Sequence, residues 1–254
     1  MLEIPNTGYN RHFKYFKEKT FYIPTTKAEQ HAIAAILSDI DEFISSFDKE
    51  ISKKRQIKEG TMQQLLTGKT RLPGFSGEWV EKTIGSVSFI RKGVQFDASR
   101  FIENGKYPML NGGTEPSGYS DDYNTEGDTI TISEGGNSCG FVNYMQTKFW
   151  CGGHCYSIEE NESLDKAFFF HLLKFNEPKL MKLRVGTGLP NIQSKTLQLY
   201  ILTYTKDVKE QQAIASILSD MDAEIRALEA ERDKYALIKQ GMMQELLTGK
   251  TRLV

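Results

Sequence analysis

The sequence predicts an α+β protein in which a mixed globular domain is inserted between two long helices that pair as an antiparallel coiled coil. Three observations predict this fold. A 44-residue segment occurs twice, both copies carry apolar residues at three- and four-residue steps, and the region between them is rich in glycine, asparagine and short β-like runs. Two long helices joined by a mixed region bury the most apolar surface when the helices pack together.

The repeat is unambiguous at the level of residues. EQHAIAAILSDID at 29–41 recurs as EQQAIASILSDMD at 210–222, and GTMQQLLTGKTRL at 60–72 recurs as GMMQELLTGKTRL at 241–253. Both matches have the same offset of 181 residues, so the copies align without a gap, and 26 of the 44 aligned positions are identical. Chance does not produce such agreement, and the chain therefore contains a true internal repeat.

Each copy of the repeat is predicted to form one long helix. Its apolar residues lie at the spacing of a coiled-coil seam, with charged residues between them. They are Ile33, Ile36, Ile40, Ile44, Phe47, Ile51, Ile57, Met62 and Leu65 in the first copy, and Ile214, Ile217, Met221, Ile225, Leu228, Tyr235, Ile238, Met242 and Leu246 in the second. Neither copy contains proline, and each ends where Gly68 or Gly249 is expected to form a left-handed cap. A narrow apolar stripe does not stabilise a lone helix, so the two helices are predicted to pack against each other.

The region 73–205 has the composition of a mixed α+β domain. Four runs are predicted to form strands: TITIS (129–133), GFVNYM (140–145), KFWCGGHCYSI (148–158) and LQLYILTY (197–204). Turn signals such as NGG (111–113), EGG (134–136) and GTG (186–188) separate them. The segment 164–183 is predicted to be helical with an interruption near Pro178.

Composition and charge exclude some classes of protein. No 18 apolar residues run together, so no membrane span is expected, and the first residues lack the pattern of a signal peptide. Three cysteines form an odd number, which favours a reduced, cytoplasmic protein over a disulfide framework. The net charge of −1 does not by itself indicate a nucleic-acid binder, although basic residues concentrate in 166–195 and acidic residues in 115–134. The alternative is that these charges are ordinary solvated surface.

The repeated motifs resemble those of type I restriction–modification specificity subunits. The residues that carry the resemblance are the EQxAIAxILSxxD start of each helix, its QxLLTGKTRL end, and PGFSGEW at 73–79. The resemblance covers nearly the whole chain. It implies a remnant of a first recognition domain at 1–28, a first conserved long helix at 29–72, a target-recognition domain at 73–205 and a second conserved long helix at 206–254.

The family pattern has two target-recognition domains, each followed by one conserved helix. Here only 28 residues precede Glu29, so the resemblance implies an N-terminally shortened, half-length form with one complete recognition domain. Such a chain is expected to read one half-site of its target. It is expected to recover a second domain as a homodimer through the helices, with a two-fold symmetric target.

The resemblance also implies the partners. The chain is expected to be a non-catalytic, cytoplasmic subunit that binds double-stranded DNA and docks methyltransferase (modification) subunits, with a restriction/translocase subunit joining through the complex. No cofactor is expected on this chain, because S-adenosylmethionine, ATP and Mg belong to the partner subunits. The alternative is a coiled-coil protein that modulates a restriction system without DNA readout of its own.

Three polar, glycine-rich loops are the predicted DNA contacts, at 111–114, 133–138 and 184–191. Glycine lets a backbone approach DNA closely, and amide, hydroxyl and basic side chains reach base edges and phosphates. The predicted DNA-binding residues are Asn111, Thr114, Ser133, Asn137, Ser138, Lys182, Arg184, Thr187, Asn191 and Lys195. For any single one of them, an ordinary surface turn is the alternative.

The sequence does not favour a phosphate-binding loop, a zinc site or a catalytic centre on this chain. The GKT of each helix end resembles part of a phosphate-binding loop, but Gln63 and Gln244 stand where that loop requires glycine. Cys139, Cys151, Cys155 and His154 contain four possible zinc ligands, but their spacing matches no common zinc module, and so no metal site is predicted. An enzyme that uses this cluster is the weaker alternative. No methyltransferase or nuclease signature is present, so catalysis is assigned to partners.

Overall fold

A computed structural model describes residues 17–97, 101–161, 164–186 and 188–253. The chain divides into two compact units. The first holds the described residues through Lys54 together with those from Glu224 onwards, and the second holds Arg55–Ala223. This division cuts both long helices, whereas the sequence-based segments keep each helix whole.

Two 39-residue helices correspond to the two copies of the repeat. Helix α1 spans Lys27–Leu65 and helix α5 spans Val208–Leu246. Both end in the same way, because Gly68 has φ 71° and Gly249 has φ 73°, which are left-handed conformations that glycine adopts without strain. The predicted glycine caps are therefore confirmed.

The first unit contains the N-terminal part of α1 and the C-terminal part of α5, which charged and aromatic contacts join. Lys54 lies 2.5 Å from Glu224, and Arg232 lies 3.5 Å from Asp48. Lys239 forms a further ion pair with Asp41. The rings of Phe43, Phe47 and Tyr235 all contact one another. Four predicted seam residues of this unit, Ile33, Ile51, Ile225 and Leu246, are buried.

The predicted seam fails at one position of the repeat. Ile57 is 45% exposed and its repeat equivalent Ile238 is 42% exposed. The expectation that they belong to the core is therefore wrong for both. Because the two equivalent isoleucines are both exposed, exposure at this position is a property of the repeat and not of one helix.

The second unit contains all the strands within the described ranges. They are β1 Trp79–Thr83, β2 Ser88–Lys92, β3 Tyr107–Leu110, β4 Gly118–Ser120, β5 Thr129–Ser133, β6 Val142–Met145, β7 Trp150–Cys151, β8 Cys155–Glu160 and β9 Ile201–Thr205. The central sheet has the order β2-β8-β5-β6 and is antiparallel throughout. A second sheet has the order β4-β3-β7, and β1 pairs with β9 in a third. This last pair joins the start and the end of the inserted domain.

Three helices complete the second unit. They are α2 Ile84–Val87, α3 Lys166–Leu180 and α4 Ser194–Gln198, and a short 3-10 helix Met181–Leu183 follows α3. The Asp165 side chain caps α3 by accepting a hydrogen bond from the amide of Phe168. Phe168, Phe169, Leu172 and Leu173 of α3 are almost fully buried and pack in one core with the central sheet and with Leu65 and Leu218 of the long helices. Burial of this face stabilises α3 far more than its helical propensity does.

Three local expectations are corrected. Helix α3 continues through Pro178, and the change to 3-10 geometry comes only at Met181, because buried Leu180 anchors the last turn. The run 148–158 forms two strands, β7 and β8, rather than one. The run 197–204 is helical at its start and becomes strand β9 only at Ile201.

His171 is a buried histidine whose protonation is disfavoured. It is 2% exposed, its Nε2 lies 3.0 Å from Ser219 Oγ, and its Nδ1 has no hydrogen-bond partner. Burial, followed by the nearby charge of Lys58 and offset in part by Asp222, lowers the pKa of His171 from 6.5 to about 4. His171 is therefore neutral in the folded protein at neutral pH.

This shift predicts a loss of stability in acid. Because the folded pKa is depressed, the unfolded chain binds a proton at pH 4–6.5 that the folded chain does not. As the pH is lowered through this window, the free energy of unfolding should decrease by up to about 1.4 kcal/mol per pH unit. Urea titrations of the wild type and of His171→Gln at pH 7, 5.5 and 4.5 give the free energy of unfolding of each protein. The change with pH in the difference between these two free energies measures the contribution of His171. A difference that stays constant with pH would contradict the assignment.

Candidate nucleic-acid interface

The three predicted loops meet at the end of the central sheet. The amide of Gly136 donates to the carbonyl of Pro190 (2.9 Å), and the amide of Ile192 donates to the carbonyl of Glu134 (2.8 Å). The hydroxyl of Ser133 donates to the carbonyl of Gly112. Loops that are up to 80 residues apart in the sequence are thus held together by two backbone hydrogen bonds and by the Ser133 hydroxyl.

A fourth segment, the turn 152–154 between β7 and β8, completes this surface. The amide of His154 donates to Asn111 Oδ1 (3.1 Å), and the carbonyl of His154 accepts from the amide of Glu134 (2.9 Å). We call residues 111–114, 133–138, 152–154 and 184–191 the loop platform. This turn was not predicted, because the pattern of 148–158 was interpreted as one strand. The Gly152-Gly153 dipeptide was the signal for a turn.

Glu134 is the polar centre of the loop platform. Its Oε1 accepts hydrogen bonds from Lys92 Nζ (2.6 Å) and from the hydroxyl of Tyr156 (3.0 Å), and its Oε2 lies 3.8 Å from His154 Nδ1. The side chain of Glu134 is 12% exposed. Burial raises the pKa of Tyr156, and the hydrogen bond to the Glu134 carboxylate raises it further, so that Tyr156 remains a hydrogen-bond donor. The loop that contains Glu134 was predicted from the sequence to contact DNA, but Glu134 itself was not among the predicted residues.

Gly112 allows the closest backbone approach in the loop platform. Its φ is 84°, and a methyl group added to it would lie 2.6 Å from the carbonyl oxygen of His154. Gly136 has a similar φ of 77°, but a methyl group there would meet nothing within 4 Å. Gly112 is therefore required both for its conformation and for space, whereas Gly136 is required for conformation alone.

The structure places the predicted contact residues in three groups. Two are half-buried, Asn111, which is engaged with His154, and Ser138. Six are exposed: Thr114, Asn137, Lys182, Arg184, Asn191 and Lys195. Ser133 is 3% exposed and its hydroxyl is used inside the protein, so its assignment as a DNA contact is corrected to a structural role. Thr187 lies outside the described residues.

The basic residues lie on short elements beside the platform. Lys182 is in the 3-10 helix, Arg184 follows it at once, and Lys195 is in α4. Val185 and Asn191 exchange backbone hydrogen bonds of 2.9 and 3.0 Å, which close the loop between these elements. The closed loop presents Arg184 and Asn191 on exposed surface, where phosphates and base edges are accessible.

The cysteines are buried thiols. The hydrogen bond with Cys151 and burial raise the pKa of Cys155, and burial raises that of Cys139. Cys139 donates its thiol hydrogen to the carbonyl of Glu134 (2.9 Å). In the parts of the chain that the structure describes, no group of three or more histidine, cysteine or acidic residues is arranged to hold a metal ion. Cys151 ends β7 and Cys155 begins β8, so both belong to the strands that flank the turn 152–154.

The described helices include none that is long and apolar enough to span a membrane.

Comparison with known proteins identifies similar chains. A family model described as the type I restriction modification DNA specificity domain matches residues 76–237. A putative type I specificity subunit of Mycoplasma pneumoniae is 32% identical over 170 residues, which are 63% of this chain and 45% of that protein. The MjaVIII specificity subunit of Methanocaldococcus jannaschii is 28% identical over 262 aligned positions, which cover 89% of this chain and 60% of that protein. The chain thus spans about half the length of these relatives.

A solved structure has the same fold. The S subunit of a type I restriction–modification system from M. genitalium matches with a TM-score of 0.74 at 23% identity, over 87% of this chain and 61% of that one. This likeness supports the fold.

Proposed function

Because the chain belongs to the type I restriction–modification DNA specificity family, we propose that it is the DNA-binding specificity subunit of such a system and that its loop platform reads one half-site of the target. The observation that carries the proposal is the convergence of four polar segments on one exposed surface. Asn111 and Asn137 offer amide groups to base edges, and Lys182, Arg184 and Lys195 offer charge to phosphates.

The pairing of the two long helices as an antiparallel coiled coil is part of this proposal. The contacts within the first unit support it, because they join Asp41 to Lys239, Asp48 to Arg232 and Lys54 to Glu224. In this series the residue number rises on α1 while it falls on α5, as antiparallel helices require. Within the second unit, Lys58 of α1 and Asp222 of α5 lie 2.5 Å apart and form a further pair between the two helices.

The rest of the proposal concerns the assembly, and membership of the specificity family supports it. The chain is not catalytic and binds no cofactor. Cytoplasmic methyltransferase subunits with S-adenosylmethionine modify adenine, and a restriction/translocase subunit with ATP and Mg joins for cleavage. A homodimer through the helices supplies a second platform, so the combined target is two-fold symmetric. Light scattering that gives a monomer at all concentrations, alone and with the methyltransferase partner, would contradict the dimer.

Selection from randomised duplexes tests the DNA-binding function. The chain is mixed with the pool, alone and with its methyltransferase subunits, and bound DNA is sequenced at two salt concentrations. The expected result is enrichment of one gapped, palindromic sequence in the assembled complex, above a salt-dependent background of non-specific binding. If the assembled complex shows no sequence preference, the chain is instead a coiled-coil modulator without DNA readout.

A charge-conserving variant tests the role of Glu134. A carboxylate in a major groove accepts hydrogen bonds from the amino group of cytosine, and an amide offers both a donor and an acceptor. Lys92→Gln/Glu134→Gln removes the ion pair without a net change of charge. We expect sequence selectivity to fall by about 10-fold, a cost of about 1.4 kcal/mol, with an unchanged salt slope. A variant that retains its selectivity, measured by competition with non-specific DNA, would limit Glu134 to a structural role.

A further inference from the structure

Two apolar residues of the loop platform face solvent. Leu189 is 86% exposed and Val185 is 54% exposed. Phosphate contact does not account for them, because phosphate oxygens bind cations and hydrogen-bond donors. A single exposed leucine is ordinary on a protein surface, so its surroundings decide whether it has a role at this interface.

The segment 189–193 is fixed to the platform along its inner side. The carbonyl of Pro190 accepts a hydrogen bond from the amide of Gly136 (2.9 Å), and the amide of Ile192 donates to the carbonyl of Glu134 (2.8 Å). Ile192 is also fully buried. The residues that point inwards therefore hold the segment in place and leave the residues between them on the outside.

Burial alternates along this segment. Leu189, Asn191 and Gln193 are exposed, whereas Pro190 is half-buried and Ile192 is buried. An alternation with a period of two places every second side chain on the same side of an extended chain. Leu189 and Asn191 are thus neighbours on the outer side of the segment.

Val185 joins the same surface from the other side of the loop. It pairs antiparallel with Asn191, and the two residues exchange backbone hydrogen bonds of 2.9 and 3.0 Å. Side chains directly opposite each other in an antiparallel pair stand on the same face. On its other edge Asn191 pairs with Gly135, which has no side chain to cover it. We call Val185, Leu189 and Asn191 the outward face.

The outward face combines a free amide with apolar neighbours. Among the described residues the carboxamide of Asn191 forms no hydrogen bond, unlike that of Asn111, which accepts from the amide of His154. In the major groove an adenine offers N7 and N6 to a carboxamide, and its thymine partner offers a 5-methyl group to an apolar side chain. A guanine–cytosine pair has no methyl group, and its guanine offers two acceptors that suit arginine or lysine.

We propose that the outward face reads an adenine–thymine base pair in the major groove. The carboxamide of Asn191 pairs with N6 and N7 of the adenine, and Leu189 packs on the 5-methyl group of the thymine in the same or the next base pair. This inference rests on the proposed function, and it specifies the bases that one part of the platform recognises.

Deoxyuridine in place of thymine removes only the methyl group and therefore tests the contact of Leu189. The full chain, assembled with its methyltransferase subunits, is titrated with its selected target, in which each thymine is replaced in turn. At one thymine of the half-site the wild-type affinity is expected to fall about 4-fold, as for the loss of one buried methyl group. Leu189→Ala is expected to bind the thymine and deoxyuridine duplexes equally, because the partner of that methyl group is absent.

A second base analogue tests Asn191 in the same complex. In 7-deazaadenine the N7 acceptor is missing, so one hydrogen bond to the carboxamide is lost. The wild-type affinity is expected to fall at least about 5-fold at one adenine of the same or the next base pair. Asn191→Ala is expected to bind both duplexes equally.

Ile201→Ala is the control for Leu189→Ala. Ile201 is 56% exposed on β9, in the same unit but outside the platform loops. Its variant is expected to keep the wild-type affinity and the wild-type response to deoxyuridine. Because both side chains are exposed, both variants are expected to fold, and circular dichroism checks this.

Three outcomes would overturn the proposal and leave the proposed function intact. They are a selective complex that responds to deoxyuridine at no position, a response that persists in Leu189→Ala, and a rise in 2-aminopurine fluorescence on binding that Leu189→Ala abolishes. The last result would make Leu189 a wedge between base pairs instead of a reader of their edges. A complex without any sequence preference would overturn the proposed function itself, and this inference with it.

Discussion

Gly112→Ala is expected to abolish sequence-selective DNA binding while leaving the long helices folded. The methyl group would lie 2.6 Å from the carbonyl oxygen of His154, and the backbone at φ 84° adds about 1–2 kcal/mol of strain for a non-glycine residue. The collision is with backbone, so it is relieved only by moving 111–114 away from 152–154. Because this contact holds the platform together, we expect selectivity between target and non-target duplexes to fall by about 100-fold or more.

Gly136→Ala is the matched control. It has the same left-handed strain in the same platform, but its new methyl group meets nothing within 4 Å. We expect it to lose about 1–2 kcal/mol of stability with a much smaller change in selectivity. Fluorescence anisotropy with both duplexes, and thermal unfolding of both variants, give the two readouts. Equal losses of selectivity in the two variants would show that the contact of Gly112 with His154 is not what organises the interface.

The double variant Lys182→Gln/Arg184→Gln is expected to weaken DNA binding of every sequence. Both side chains are exposed beside the closed loop 185–191, where they are free to contact phosphates. Each phosphate contact contributes about 0.9 to the slope of log K against log salt, so the slope should fall by about 2. The affinity at low salt should fall by roughly 10- to 100-fold, with little change in the preferred sequence.

Lys82→Gln provides the comparison for this pair. Lys82 is an exposed lysine on β1, in the same unit but outside the platform loops. Its removal should leave the salt slope unchanged, measured by anisotropy from 50 to 300 mM salt. A double variant that keeps the wild-type slope, or one that changes the preferred sequence, would remove Lys182 and Arg184 from the phosphate-contacting set.

The sequence correctly predicted those elements of the fold that are determined by residues close together in the chain. The strand at 129–133 and the glycine ends of both long helices appear as expected, because alternation, β-branched residues and a left-handed glycine act within a few residues. Apolar spacing located the helices but not every buried position, as the exposure of Ile57 and Ile238 shows. Spacing tells which residues share a helix face and not which neighbour covers them.

The organisation of the candidate site depends on contacts that local pattern does not contain. The loops at 111–114, 133–138 and 184–191 were recognisable by composition, but their junction through His154 and Glu134 rests on pairs far apart in sequence. The same limit led to the assignment of Ser133 as a DNA contact. A serine in a polar loop has the same sequence signature whether its hydroxyl faces solvent or, as here, a backbone carbonyl.

Two equivalent arginine–glutamate pairs, Arg71 with Glu210 and Arg252 with Glu29, have a consequence for the order in which the chain acquires its structure during synthesis. Glu29 is translated early, but the guanidinium that neutralises it belongs to Arg252, 223 residues later. At a ribosomal rate of 5–20 residues per second, that carboxylate waits roughly 10 to 45 s for its partner. Glu210 has no such delay, since Arg71 is already present when it emerges. The inserted domain can therefore close around Arg71 and Glu210 while Glu29, in the first turn of the first long helix, still lacks the arginine that pairs with it in the folded protein.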